Sequence, residues 1–287
     1  MIAQLLDNPL LLSGIIFFAG LLLGSFLNVV IYRLPLMLER QWQQECANYQ
    51  ADLAIDQSKH NIFNLAWPAS HCPNCHHSVA AYDNIPLLSY LLLKGRCRHC
   101  HQNIARQYPA VELASGLLAL ASLYVIGIQL QALLLYVVSL VLLALLVIDL
   151  KTQLLPDLLT QPLLWAGLLT QQLFYPEQLD SALWGAVLGY LVLWSIYWLF
   201  KLATGKEGMG YGDFKLLAAL GAWGGAAALP AILLISALTG LLIALLLRTT
   251  GQLASGQAMP FGPALALAGW LVLYFPTQIQ SLMWTIF

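Results

Sequence analysis

Eight apolar runs, most of them close to the roughly 20 residues needed to cross about 30 Å of hydrocarbon, constrain this chain more than anything else in it. They cover 9–31, 111–128, 130–148, 158–174, 181–200, 214–229, 231–247 and 261–275. A bilayer offers the backbone no water to bond to, so the runs predict an all-α polytopic membrane protein of about eight transmembrane helices. The sixth run is short and rich in glycine (Gly221, Gly224, Gly225), and seven spans is the alternative count. The first run does not read as a signal peptide: no Lys or Arg precedes it, and no small-residue cleavage pattern follows Gly24, Ser25 and Asn28 inside it. Only 9% of the residues are charged, against about 25% in a soluble domain, which excludes a water-facing enzyme.

One long polar interruption, 33–110, holds seven of the 12 Lys and Arg, all six His and all five Cys. It predicts a small domain outside the membrane, between the first and second spans. The other basic residues, Lys151, Lys201, Lys206, Lys215 and Arg248, fall in or beside connections on that same side if the chain crosses eight times. The opposite side then carries only Asp7, Glu177 and Asp180. Basic residues collect on the cytoplasmic face, so the polar domain is expected inside and both termini outside. A formal net charge of −1 gives no sign of nucleic acid as a partner, and no internal repeat stands out.

Four cysteines form two C-x-x-C knuckles, Cys72-Pro73-Asn74-Cys75 and Cys97-Arg98-His99-Cys100, with 21 residues between them. Each knuckle presents two thiolates to one tetrahedral ion, and the spacing is close to that of a four-cysteine zinc ribbon. A structural Zn²⁺ is the expectation, because a polar domain of this size has a small core. Disulfides, a redox C-x-x-C pair and an iron–sulfur cluster are the competing readings, the first disfavoured in a reducing cytosol. His71, His76, His77, His99 and His101 crowd the knuckles as spare ligands or, more simply, as solvated neighbours. Cys46 has no C-x-x-C partner and reads as a buried or idle thiol.

Acids at membrane depth are costly and are functional candidates by default. Asp149 closes the third run and Asp213 opens the sixth, in Gly208-Met209-Gly210-Tyr211-Gly212-Asp213-Phe214-Lys215. The crossing count puts both at the cytoplasmic surface, where they can meet. Two carboxyls sharing one site divide the work of acid and base on a water molecule. The bland alternative is a pair of interfacial helix-end charges. Helix polarity assigns Asp213, at a helix N-terminus, as the first base and Asp149, at a C-terminus, as the first acid. The three glycines let the backbone turn tightly or let an extended peptide approach. A nucleotide loop is the competing reading, but there is no P-loop pattern and no βαβ unit. Asp157 after Pro156 and Glu112 after Pro109 read as structural acids in first helical turns.

These residues together resemble a known family. Gly210-Tyr211-Gly212-Asp213 matches the G-x-G-D signature of a class of membrane aspartyl proteases, and within it the chain resembles the bacterial type IV prepilin peptidases. The resemblance runs nearly end to end. It takes in Gly24-Ser25-Phe26-Leu27-Asn28-Val29 with Arg33 and Pro35, both knuckles, Tyr108-Pro109-Ala110-Val111-Glu112, Asp149 with Leu155-Pro156-Asp157, and Pro260-Phe261-Gly262-Pro263. It implies a first transmembrane helix at 9–32, a cytoplasmic zinc-binding domain at 33–110 and a membrane aspartyl protease domain of about seven helices at 111–287. It also implies cleavage of the leader from prepilins and pseudopilins at the cytoplasmic face of the bacterial inner membrane. Asp149 and Asp213 would be catalytic, and Cys72, Cys75, Cys97 and Cys100 would bind the metal. Methylation of the new N-terminal amine from S-adenosylmethionine is implied by the resemblance alone; no cofactor-binding residue is identified.

Two other classes remain in view. A membrane thiol-disulfide redox protein would use the four cysteines, but on the oxidising side, against the charge split. An ion-coupled transporter would use Asp149 and Asp213, but such sites lie at broken helices near the bilayer midplane, and these two acids lie at helix ends.

Overall fold

The computed structural model describes residues 8–50, 63–249 and 259–286; Asp7, Lys59 and His60 lie outside them. Among the described residues there is no strand, and the helices are α1 (Pro9–Gln50), α2 (Leu88–Leu92), α3 (Gln107–Ile126), α4 (Leu130–Thr152), α5 (Asp157–Phe174), α6 (Leu179–Thr204), α7 (Tyr211–Gly224), α8 (Leu229–Thr249), α9 (Gly262–Tyr274) and α10 (Pro276–Ile286). Seven of the eight apolar runs fall on a helix of their own, while the sixth, 214–229, leaves α7 at Gly224, passes through Gly225 and a 3-10 turn at Ala226–Ala228, and ends on Leu229, the first residue of α8. Five helices, α1, α3, α4, α6 and α8, are long and apolar enough to cross a membrane, and α9 with α10, bent by 103° at their junction, makes a sixth as a broken pair. The two short of the mark are α5 and α7. The 18 residues of α5 include Asp157, Thr160, Gln161, Thr170, Gln171 and Gln172. The 14 residues of α7 reach only about 21 Å at 1.5 Å per residue.

The first helix does not stop at Tyr32. It continues through Pro35 to Gln50, because the stretch Leu36-Met37-Leu38-Glu39-Arg40-Gln41 is made of strong helix formers that outweigh one lost backbone bond.

The chain divides into two compact units, Met1–Leu140 and Val141–Phe287. In the first, α1 lies against α3 over Gly20 and Gly24. A β-carbon at Gly24 would come within 2.8 Å of the Glu112 Cα, so small residues four apart let the two backbones touch, as is common between membrane helices. Ser115 Oγ donates to the Gly20 carbonyl across this contact at 2.6 Å and also bonds Tyr136 at 2.8 Å. Buried Arg33 donates to the carbonyls of Asn64, Leu65 and Pro68 at 2.9, 3.2 and 2.6 Å. Those bonds use its charge to tie the segment before the first knuckle to the extension of α1.

In the second unit α7 is the hub, packed on α5, α6 and α9. Phe214, Leu216, Leu217, Ala219, Leu220 and Ala222 of α7 have no exposed surface. Gly185 of α6 and Gly221 of α7 meet backbone to backbone, with no room for a β-carbon on either. Trp223 donates to the Leu163 carbonyl at 2.8 Å, and Gln171 donates to the Trp223 carbonyl at 2.9 Å, fastening α7 to α5.

Candidate active site and metal centre

Asp149 sits in the last turn of α4. That helix ends at Thr152, and the next residue, Gln153, at φ 54°, returns its N–H to the Asp149 carbonyl at 2.9 Å. Leu155 precedes Pro156, whose ring biases it toward extended backbone, and α5 starts at Asp157. Asp213 sits in the first turn of α7, entered from extended Gly210. Both carboxylates are buried, at 4% and 6% exposure.

Two glycines shape the space around them. A β-carbon at Gly262, the first residue of α9, would lie 2.6 Å from Asp149 Oδ2. One at Gly212 would lie 2.7 Å from the Leu155 β-carbon, and Leu155 also borders Gly262. Leu155 is thus a wedge between the two glycine motifs, holding the starts of α7 and α9 beside the end of α4. Asp149 Oδ2 is buried and makes no hydrogen bond among the described residues. A carboxylate oxygen in that state is poised to take a bond from water or substrate.

Outer contacts hold the G-x-G-D segment. Lys215 Nζ bonds both oxygens of Asp157 at 2.7 Å, so this lysine is engaged by the start of α5 rather than by Asp213. Lys201 donates to Tyr197 at 3.1 Å and to Glu207 at 2.8 Å. Gly208 lies so close to the Phe200 ring that a β-carbon would be 2.9 Å from it. Reading residues alone singled out neither the Leu155 wedge nor the Lys201–Glu207 tie. The only hints were a leucine beside a helix-starting proline, and opposite charges six apart across a glycine turn.

The acids set aside as structural divide. Asp157 is in the first turn of α5 as expected. Glu112 is not in a first turn, because α3 begins at Gln107; it is a buried carboxylate whose Oε2 accepts the Leu87 N–H at 2.9 Å.

The two knuckles fold alike. In each, the first cysteine accepts at its carbonyl from a histidine four residues on, His76 to Cys72 at 2.9 Å and His101 to Cys97 at 3.0 Å. Both histidines are left-handed, at φ 54° and 56°. A short bridge closes each turn, His71 with Ser78 and Arg96 with Asn103. A repeat absent from the chain at large is therefore present at this scale. The sulfurs of Cys72, Cys75, Cys97 and Cys100 lie within 4.8 Å of one another, with Cys72 and Cys100 at 3.7 Å. A tetrahedral ion with metal–sulfur bonds of about 2.3 Å needs sulfurs about 3.8 Å apart, so the set fits a metal. Backbone N–H groups of Cys75 and Asn74 hold the Cys72 thiol below its ordinary value. The Gln102 backbone N–H and the Asn74 side chain bring Cys100 down to about 6. At Cys75 the His77 backbone N–H is outweighed by burial and by contacts with Cys100, Cys72 and Cys97, which raise that thiol to about 11. The turns thus favour the thiolate, the form that binds metal, at Cys72 and Cys100. Among the described residues no histidine joins the four-sulfur set. Cys46 is an exposed free thiol on α1, not a buried one.

Known proteins place this arrangement. Residues 18–126 match the model of the bacterial peptidase A24 N-terminal domain, and residues 136–245 match that of the type IV leader peptidase family. A prepilin leader peptidase/N-methyltransferase of Stutzerimonas stutzeri is 48% identical over 96% of this chain and 95% of its own length. Proteins of the same description from Pseudomonas putida and Pseudomonas aeruginosa are 50% and 46% identical, over 91% and 96% of this chain and 90% and 94% of their own lengths. No solved structure matches the chain significantly. With both halves matched and its relatives covered almost end to end, this multi-pass membrane protein belongs to the type IV leader peptidase family.

Proposed function

We propose that this protein is an aspartic endopeptidase of the bacterial inner membrane that removes the leader of type IV prepilins and pseudopilins at the cytoplasmic face, then methylates the exposed N-terminal amine. The observation that carries the peptidase reading is the convergence of two buried carboxylates, Asp149 and Asp213, through Leu155, which packs on Gly212 beside Asp213 and on Gly262 against Asp149. In the proposed mechanism a water lies between them. Asp213, as base, takes one proton while the hydroxyl oxygen attacks the scissile carbonyl carbon, and Asp149, as acid, protonates the carbonyl oxygen. The resulting gem-diol collapses as its C–N bond breaks and the departing amine takes up a proton. No covalent enzyme intermediate forms. The test is direct: purified protein should shorten a prepilin, and neither Asp149→Asn nor Asp213→Asn should. Cleavage undiminished in either variant would overturn the dyad.

We assign zinc to the four sulfurs, on the match between their spacing and a tetrahedral thiolate site. Bound there, it would cross-link the two knuckles. The cytoplasmic placement of this domain, and of both carboxylates, rests on the segregation of basic residues that eight crossings would give. S-adenosylmethionine is the methyl donor that the relatives' N-methyltransferase name suggests. The described residues hold no strand, so they contain no doubly wound sheet of the dinucleotide-binding kind, and no residue is assigned to the donor.

A further inference from the structure

The short helix α2 exposes an apolar face, close after exposed Val79, Tyr82 and Ile85. Leu88, Leu91 and Leu92, spaced three and four apart so that they share one face, are 50%, 70% and 73% exposed. Their depth is set by one hydrogen bond. The N–H of Leu87, just before α2, goes to buried Glu112 on α3. Glu112 is five residues past the start of a 20-residue membrane-crossing helix, about 8 Å along it. Leu87 holds φ 58° to make this bond, a conformation costly for a bulky residue. The whole of α2 is only about 8 Å long, so its leucines lie near the level at which α3 passes from water into hydrocarbon. Immediately after α2 come the exposed bases Lys94, Arg96 and Arg98, the last shared with Asp83.

We infer that α2 is an interfacial anchor. Its three leucines enter the boundary between headgroups and acyl chains of the membrane that α3 crosses, and Lys94 and Arg96 meet lipid phosphates there. Apolar side chains carried by a short element, with bases beside them, are the combination that holds a segment at an anionic surface. The anchor keeps the metal-binding knuckles at a set height against the bilayer, since Cys97 follows α2 by only five residues. The inference rests on the reading of α3 as membrane-crossing, not on the peptidase chemistry.

The experiment places the photoreactive residue p-benzoylphenylalanine, one site at a time, at Leu91, Leu92, Leu117 and Glu45 of the full chain. The protein is reconstituted in nanodiscs of phosphatidylethanolamine and phosphatidylglycerol, with and without a prepilin. Leu117, exposed on α3, should form lipid adducts, and Glu45, about 18 Å beyond Arg33 on α1, should not. The expected result is lipid adducts at Leu91 and Leu92 in yield comparable to Leu117, unchanged by prepilin. Adducts at Leu117 with none at Leu91 and Leu92 would overturn the anchor alone. Adducts at those two sites only to prepilin, or only to a second copy, would reassign the face to a protein partner. Absence at Leu117 as well would overturn the membrane reading of α3 on which the anchor stands.

Discussion

Gly262 lies against Asp149 so closely that a single β-carbon at position 262 would come 2.6 Å from Asp149 Oδ2. The carboxylate of α4 is therefore held by the absence of a side chain on α9. Replacing Gly262→Ala must move either the carboxylate or the start of α9. A displacement of the order of 1 Å at reacting groups costs about 100-fold in rate, so kcat for prepilin cleavage should fall by roughly that factor. Gly210→Ala, where a β-carbon meets nothing nearer than 4.0 Å, should be much milder. Equal losses in the two variants would contradict the close-contact explanation.

The dyad should behave as one unit. If Asp149 and Asp213 share one water, removing the second carboxyl after the first changes little, because groups that act together are strongly non-additive. Residual cleavage by the double variant Asp149→Asn/Asp213→Asn should match that of the weaker single variant, as measured in single-turnover assays. Additive losses would mean that the two carboxylates serve separate steps. Methylation of a pilin that already lacks its leader should persist in both single variants.

Metal removal should act on the knuckles. Chelation, or Cys72→Ser with Cys97→Ser, should release about one zinc per chain by atomic absorption and open residues 70–103 to limited proteolysis, because the two turns have little apolar core of their own. Prepilin cleavage should survive better than methylation. Full protease resistance in metal-free protein would remove the structural role from these sulfurs.

The Asp83–Arg98 pair predicts a pH dependence. Arg98 Nε donates to Asp83 at 2.8 Å, with Nη2 on the other oxygen, and these bonds hold the carboxyl below its ordinary value of 3.8. The folded state therefore binds the proton less readily than the unfolded chain. The pair's contribution is present above about pH 4 and is lost as the pH falls through the lowered folded value. Proteolysis of 70–103 should stay flat from neutral pH down to about 5 and rise only below 4, while Asp83→Asn should flatten that acid limb. A rise centred near pH 6 would point away from this pair and toward the Cys100 thiol.

Much of this protein was legible in local pattern. Apolar runs located the helices, five of them long and apolar enough to cross a membrane, because burial in lipid depends on composition over one contiguous stretch. The C-x-x-C spacing announced the four-sulfur cluster because each knuckle is a turn of a few residues. The two aspartates stood out because charge beside an apolar run is expensive. What escaped were contacts between residues far apart in the chain, or properties of a whole helix. The passage of α1 through Pro35, the shortfall of α5 and α7 as spans, and the burial of Glu112 under Leu87 are of this kind.

The amino-acid order alone determined which segments seek the membrane, which thiols can share an ion and which acids are candidates, since those follow from residue type and near-neighbour spacing. Only the tertiary structure decided that Leu155 wedges between Gly212 and Gly262, and that Asp149 is left with one buried, unbonded oxygen. Those outcomes depend on where the ends of α4, α7 and α9 come to rest when their surfaces interlock, and no period or motif encodes that placement.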